Sequence, residues 1–289
     1  MKLVENKNAL VTGGGRGIGK AVALELAKNS ANVAVTARSE EQLNEVAAEI
    51  ENFGVNGLAI PSDLSTIKGV DACADFFLEK FGTCDILVNN AGFSQYCPIL
   101  EYPAEDFQYL LNLNVISYFQ MTKRMLPSMI DQKGGKIILT SSASGNLAFA
   151  AKKFAYGASK AAVSAMGRSM DAELNPYNIH VNVVCPGPVE TRLLQENREW
   201  GAIYPEGEPP EAISPLYLFL ASNTIKRPYK GRVIDEYSLS KVISEIKEEN
   251  FKPDFNIKDY LKSKKLKLSK DTYSLLRKNQ ELVEFMIKY

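Results

Sequence analysis

A short apolar run, Asn8 to Thr12 (NALVT), breaks off at Gly13-Gly14-Gly15-Arg16-Gly17-Ile18-Gly19, and a helical pattern, Ile18 to Lys28, begins inside those glycines. No other feature restricts the fold so strongly. A buried strand that stops at glycines and turns at once into a helix is the first half of a β-α-β unit. The glycines let the backbone turn sharply and come close to a bound group. The helix start offers free N–H groups and a positive dipole end, which suit a pyrophosphate. The spacing is T-G-x-x-x-G-x-G, counted from Thr12, and not G-x-G-x-x-G.

Apolar runs and amphipathic stretches then alternate. Strands are predicted at Asn32–Ala37, Gly57–Ser62, Asp85–Asn89, Gly135–Ser141, Ile179–Cys185 and Gly231–Asp235. Helices are predicted at Glu40–Asn52, Lys68–Phe81, Glu105–Asp131, Tyr156–Leu174 and Ile213–Ala221. Strands apolar throughout, each followed by a helix, predict an α/β fold: a doubly wound parallel sheet with helices on both faces. Pro186 to Pro210, with five prolines, is predicted to be a loop.

With 289 residues the chain has room for one such sheet and an extension. Its 34 basic and 34 acidic residues cancel, so no global field favours a nucleic-acid or membrane partner, and neither is expected. No run nears the ~18 apolar residues of a membrane span. The N-terminal stretch shows no signal-like apolar segment, and a cytoplasmic protein is expected. Cys73, Cys84, Cys97 and Cys185 form no CxxC and His180 is the one histidine, so no metal site is expected.

Further motifs follow in order. Asn89-Asn90-Ala91-Gly92 closes the fourth strand, and Asn114 lies in the next helix, in LNLNVIS. Ser141 and Ser142 end the fifth strand. Tyr156-Gly157-Ala158-Ser159-Lys160 fits YxxxK, and Pro186-Gly187-Pro188-Val189-Glu190-Thr191 fits PGxVxT. Together with the glycine turn these resemble the short-chain dehydrogenase/reductase (SDR) family, from about Asn8 to Asp235. The resemblance implies a Rossmann fold and a nicotinamide cofactor cradled by Gly13, Gly15, Arg16, Gly17, Ile18 and Gly19. It implies further contacts from Asn90, Ala91 and Gly92, and from Pro186, Gly187, Val189 and Thr191 at the nicotinamide end. Asp63 matches the family's aspartate at the adenine amine. Lys160 is implied to hold the ribose hydroxyls, and Asn114 a helix distortion and a relay water.

The chemistry is also readable from the residues. Tyr156 and Lys160 are four apart and share a helix face. A nearby ammonium favours the phenolate, so Lys160 is expected to bring Tyr156 toward working pH as acid and base. Ser142 is expected to steady the charge developing on a substrate oxygen. Family spacing puts a serine 13 residues before the tyrosine, where Ala143 stands. Ser142 in S-x-x-G is chosen through a one-residue insertion within Asn146–Phe154, with Ser141 and Ser144 left open. The expected catalytic set is thus Asn114, Ser142, Tyr156 and Lys160.

For the cofactor, an acid at the end of the second strand would select NAD, and an arginine NADP. The strand ends Val35-Thr36-Ala37-Arg38. Arg38, with Arg16 as a second cation, is expected to favour NADP(H), with NAD(H) possible. The expected activity is NADP(H)-dependent interconversion of a secondary alcohol and a ketone, or aldehyde reduction, on a small carbonyl compound such as a 3-oxoacyl thioester. The rivals are a non-catalytic cofactor-sensing binding protein and an SDR-like isomerase or dehydratase. His180 is read as structural. Ser94, Gln95, Tyr96, Asn146, Leu147, Phe149, Val189, Leu193, Trp200 and Tyr204 are candidates for the substrate wall.

Residues 1–237 are read as the nucleotide-binding domain and 238–289 as a helical, Lys-rich C-terminal extension. The run Lys262–Lys270 suits a solvated face or an anionic surface, and Thr272–Lys288 an amphipathic helix packed on the domain or a neighbouring subunit. The resemblance implies a homo-dimer or homo-tetramer.

Overall fold

The computed structural model describes residues 2–145, 150–222, 233–248, 255–263, 268, 273–274, 276–277 and 280–288. Its first half alternates strictly: β1 (Asn8–Thr12), α1 (Gly17–Lys28), β2 (Asn32–Ala37), α2 (Glu40–Glu51), β3 (Gly57–Pro61), α3 (Ile67–Phe81) and β4 (Ile86–Asn89). The second half continues with α4 (Ala104–Leu111), a π-helical turn (Asn112–Ile116), α5 (Ser117–Asp131), β5 (Gly135–Thr140), α6 (Phe154–Leu174) and β6 (Ile179–Cys185). Then come α7 (Arg192–Glu199), α8 (Pro210–Ala221), β7 (Val233–Asp235), α9 (Glu236–Glu248), α10 (Ile257–Ser263) and α11 (Gln280–Lys288).

All seven strands are parallel, in the order β3-β2-β1-β4-β5-β6-β7. The order reverses between β1 and β4, where Val11 faces Val88. Ligands of such sheets bind in the crevice outside the strand ends at that switch. Alternate strand residues serve two cores. Val11, Val35 and Val88 pack under α1, α2 and α8. Leu10, Ala34 and Leu87 pack under α3, α5 and α6. This two-sided burial is why the strands read as continuous apolar runs.

Two expected elements differ. The single helix expected over Glu105–Asp131 is divided by the π turn at Asn112–Ile116. The loop expected over Pro186–Pro210 contains α7, whose sequence RLLQENRE is polar and lies between the prolines, with none inside it. Thr191 caps α7 by accepting from the Leu194 N–H at 3.4 Å.

The C-terminal extension continues directly from the sheet, since α9 begins at the residue after β7 and runs through Ser238. Leu239, Val242, Ile243 and Ile246 of α9 join the core beneath α8, as do Leu276 and the α11 residues Leu282, Val283 and Met286. Gln280 ties α11 to α10 by donating to the Phe255 carbonyl at 2.8 Å and accepting from the Ile257 N–H at 3.0 Å. Most of Lys262–Lys270 lies outside the described residues, as do Gly231 and Arg232. No described helix is long and apolar enough to cross a membrane.

Candidate active site

A cavity of about 830 Å³ opens at the C-terminal ends of β1, β4, β5 and β6. The glycine turn forms one wall. Gly13 takes φ +65° and donates its N–H to the Thr36 carbonyl at 2.7 Å. A side chain on Gly19 would put its Cβ 2.1 Å from the Gly13 carbonyl oxygen. Such a wall leaves bare backbone and a helix start facing the cavity, the surface a dinucleotide pyrophosphate needs.

The Asn89–Gly92 segment is laced to that turn. The Thr12 hydroxyl accepts from the N–H groups of Asn90 (2.8 Å) and Ala91 (3.0 Å). The Asn90 amide donates to the Thr12 carbonyl at 3.1 Å. A Cβ on Gly92 would come 3.4 Å from Asn114 Oδ1 and 3.5 Å from Lys160 Nζ, ordinary contact distances that place this glycine against both groups. Asn114 is fully buried in the π turn. It does not line the cavity itself but holds Phe93, which does: its amide donates to the Phe93 carbonyl (2.9 Å) and the Ser159 hydroxyl (3.0 Å) and accepts from the Phe93 N–H (2.8 Å).

Tyr156 and Lys160 project from the first two turns of α6 into the same cavity. The Lys160 ammonium donates to the Thr140 carbonyl at 2.8 Å and to the Tyr118 hydroxyl at 3.3 Å, and sits 5.8 Å from the Tyr156 ring centre. Burial pulls Lys160 down to about 7. Burial likewise pushes the Tyr156 phenol up to about 12, against the pull of a hydrogen bond from Ser142. The expected lowering by Lys160 is not among the influences on this phenol: desolvation raises it, and Tyr204 and Cys185 add to the rise.

The three serines separate by partner. Ser141 is buried in the cavity wall, donating to the Lys160 carbonyl at 2.7 Å and paired with Ser164 at 2.9 Å. Ser142 meets Tyr156, and its hydroxyl also accepts from the Ser144 N–H at 3.2 Å. Gly145 follows because a Cβ there would lie 2.6 Å from the Ala161 nitrogen of α6. The insertion expected within Asn146–Phe154 falls partly on residues 146–149, outside the described ones, with the candidates Asn146, Leu147 and Phe149.

Gly15, Gly17, Ile18, Asp63, Pro186, Gly187, Val189 and Thr191 also line the cavity. A Cβ on Gly17 would touch the Thr191 methyl at 3.0 Å, so the segment after β6 closes onto the glycine turn. Arg16 and Arg38 stand at one end. Arg38 donates to the Tyr109 hydroxyl at 3.3 Å. The Arg16 guanidinium is lowered first by burial and then by Arg192 and Arg38 nearby, while Glu196 opposes. Arg192, paired with Glu196 at 2.7 Å, is thus a third cation at this end that the sequence reading missed. Of the substrate-wall candidates, Ser94, Val189, Leu193 and Tyr204 line the cavity; Gln95, Tyr96 and Trp200 do not. His180 lies at the opposite end of β6, beside Asn178.

Lys153 was also missed. It caps α6 one turn before Tyr156 and is buried in the cavity wall, beside a lysine that reads as surface. Its position three residues before Tyr156 is the one signal that pointed to it.

A family model described as short chain dehydrogenase matches residues 7–202. A hydroxynaphthalene reductase-like protein, Arp2, of Metarhizium brunneum is 37% identical over 204 residues, 70% of this chain and 75% of that one. The 7alpha-hydroxysteroid dehydrogenase of Escherichia coli is 35% identical over 192 residues, 66% of this chain and 74% of that one. Among solved structures, a short-chain type dehydrogenase/reductase from Mycobacterium marinum superposes with a TM-score of 0.76 at 36% identity, over 81% of this chain and 96% of that one. A 7alpha-hydroxysteroid dehydrogenase complexed with NADH and 7-oxo glycochenodeoxycholic acid gives 0.74 at 31% identity, over 80% and 93%. L-sorbose reductase from Gluconobacter frateurii, complexed with NADPH and L-sorbose, gives 0.73 at 28% identity, over 81% and 96%.

Proposed function

The chain belongs to the short-chain dehydrogenase family, and from that premise we propose that it is an NADP(H)-dependent oxidoreductase interconverting a secondary alcohol and a ketone, or reducing an aldehyde. The observation that carries this is the Tyr156 phenol, hydrogen-bonded to Ser142 and flanked by Lys160, in the cavity that the glycine turn walls. A bound nicotinamide supplies or takes the hydride. Tyr156 donates the proton to the oxygen that becomes the alcohol. Ser142 donates a hydrogen bond to the same oxygen while charge builds on it. Lys160 binds the ribose hydroxyls from beside the phenol. Asn114 is a positioning residue, since its amide is spent on Phe93 and Ser159.

The raised phenol supports the reductive direction, because the proton donor is in place at neutral pH. Two observations support NADP(H): no acid ends β2, and Arg16 and Arg38 line one end of the cavity with Arg192 nearby. The relatives and neighbours act on compounds as unlike as a steroid and a sugar. The substrate here is a small carbonyl compound, and 3-oxoacyl thioesters belong in the test.

We read the assembly as a homo-dimer or homo-tetramer, since Ile116, Phe119 and Ile130 expose apolar side chains on α5 and the turn before it. The test of function is NADPH oxidation by the purified chain against a panel of ketones, aldehydes and 3-oxoacyl thioesters. Turnover of at least one supports the reading. NADPH binding with no turnover of any would favour a cofactor-sensing protein instead.

A further inference from the structure

The cavity wall holds a buried cation, Lys153, that the chemistry above does not use. Lys152 takes φ +63°, and this left-handed residue turns the next one inward. Lys153 then starts α6 with its side chain buried at 4% exposure. Its ammonium donates to the Ser94 hydroxyl at 2.8 Å, and lies 5.1 Å from the Tyr156 ring centre and 5.4 Å from that of Tyr204. The Ser94 hydroxyl in turn reaches Asn197 Oδ1 at 3.4 Å.

No carboxylate among the described residues pairs with this ammonium. The acids of the neighbouring segment are engaged: Glu190 with Arg198, Glu196 with Arg192. A buried charge without a counterion is unfavourable unless something supplies one. Burial lowers Lys153 to about 8, so it is still mostly charged at neutral pH.

We propose that Lys153 is the anion-recognition group of the substrate pocket, and that the substrate is an oxo or hydroxy acid whose carboxylate lies a few bonds from the reacting carbon. The inference rests on the oxidoreductase reading of this cavity. One ammonium, with two donor protons left beyond its bond to Ser94, suits a singly charged carboxylate. A phosphate would call on guanidinium forks, whereas the groups around the Lys153 ammonium are a serine hydroxyl and two tyrosine rings. The separation is short because Lys153 is one helical turn from the residue that protonates the substrate oxygen. Leu193 and Val189 in the same cavity can take an apolar remainder.

The experiment compares 2-, 3- and 4-oxo carboxylic acids with their methyl esters as substrates, with NADPH, in the wild type, Lys153→Met and Lys153→Arg. The wild type should prefer at least one acid over its ester by roughly 10- to 100-fold in kcat/KM, the range of a charge-assisted hydrogen bond. Lys153→Met should collapse that ratio, chiefly through KM for the acid, and Lys153→Arg should keep part of it. A wild type that prefers the esters overturns the proposal without need of a variant. A Lys153→Met enzyme with an unchanged ratio overturns it too, and would make the lysine a support for Tyr156 alone. If neutral carbonyl compounds are reduced and no acid is, only this inference falls. If nothing is reduced, the oxidoreductase reading falls with it.

Discussion

Tyr156 is held by opposing influences, and their balance can be measured. Burial raises its phenol to about 12 and the Ser142 hydrogen bond lowers it. Reduction uses the protonated phenol, so Tyr156 itself should impose no fall in rate until strong alkali, and a change near neutral pH would report Lys160, which burial lowers to about 7. Alcohol oxidation uses the phenolate, so its kcat/KM should climb steadily from neutral into the alkaline range. Profiles of the two directions check this, and an oxidation rate that peaks at neutral pH would contradict it. Tyr156→Phe should keep NADPH binding, read by fluorescence titration, and lose ~10²-fold or more in turnover. Arg38→Ala should cost about 1.5–3 kcal/mol of NADP binding and much less of NAD binding. The ratio of kcat/KM for the two cofactors should therefore shift toward NAD by roughly 10- to 100-fold. YxxxK and the arginine were legible because i, i+4 spacing and strand ends are local properties. Lys153 was not, because a single left-handed residue before it decides which way its side chain turns.

The glycine turn between β1 and α1 shows how far local pattern reaches. Its position between strand and helix was readable, but not why each glycine is there. Gly19 has no room for a side chain because the Gly13 carbonyl folds back onto it. Gly19→Ala should therefore open the turn, costing about 1–3 kcal/mol by overpacking and weakening NADPH binding. Thermal melting with and without NADPH measures both. The helix pair α4 and α5 reads as one helix because apolar periodicity continues through Asn112–Ile116. The extra residue of a π turn leaves little trace in such a pattern. Here the turn carries Asn114 to the loop after β4, which only the packing of α6 against that loop explains. The polar α7 was missed for a related reason: its few apolar residues mark no long buried stripe, and proline-rich flanks read as loop.

In the assembled fold the C-terminal extension is part of the core. Leu276, Leu282, Val283 and Met286 are buried with α8, and the Phe285 ring lies 5.3 Å from that of Phe219. Leu282→Ala should cost about 2–5 kcal/mol and lower Tm measurably. Removing everything after Ser240 should do far more. Each large side chain uncovered loses about 1.5–3 kcal/mol, against a typical total stability of about 5–15 kcal/mol. The truncated chain should melt near or below room temperature or aggregate, and one with the wild-type Tm would show the extension to be an appendage.

The order of strands and helices, the glycine turn, and the tyrosine-lysine pair follow from the residues alone. Each depends on neighbours within a turn or two of chain, where the periods 2 and 3.6 and the conformational limits of glycine operate directly. Burial and convergence are of another kind. Which serine meets Tyr156, where Lys160 sends its ammonium, and which arginines share one end of the cavity depend on segments from 14 residues apart (Ser142 and Tyr156) to 176 apart (Arg16 and Arg192), brought together by the crossing of the sheet at β1 and β4. Desolvation is a property of that packed surrounding. It reverses the local expectation for Tyr156 and leaves Lys153 charged, buried and without a carboxylate among the described residues.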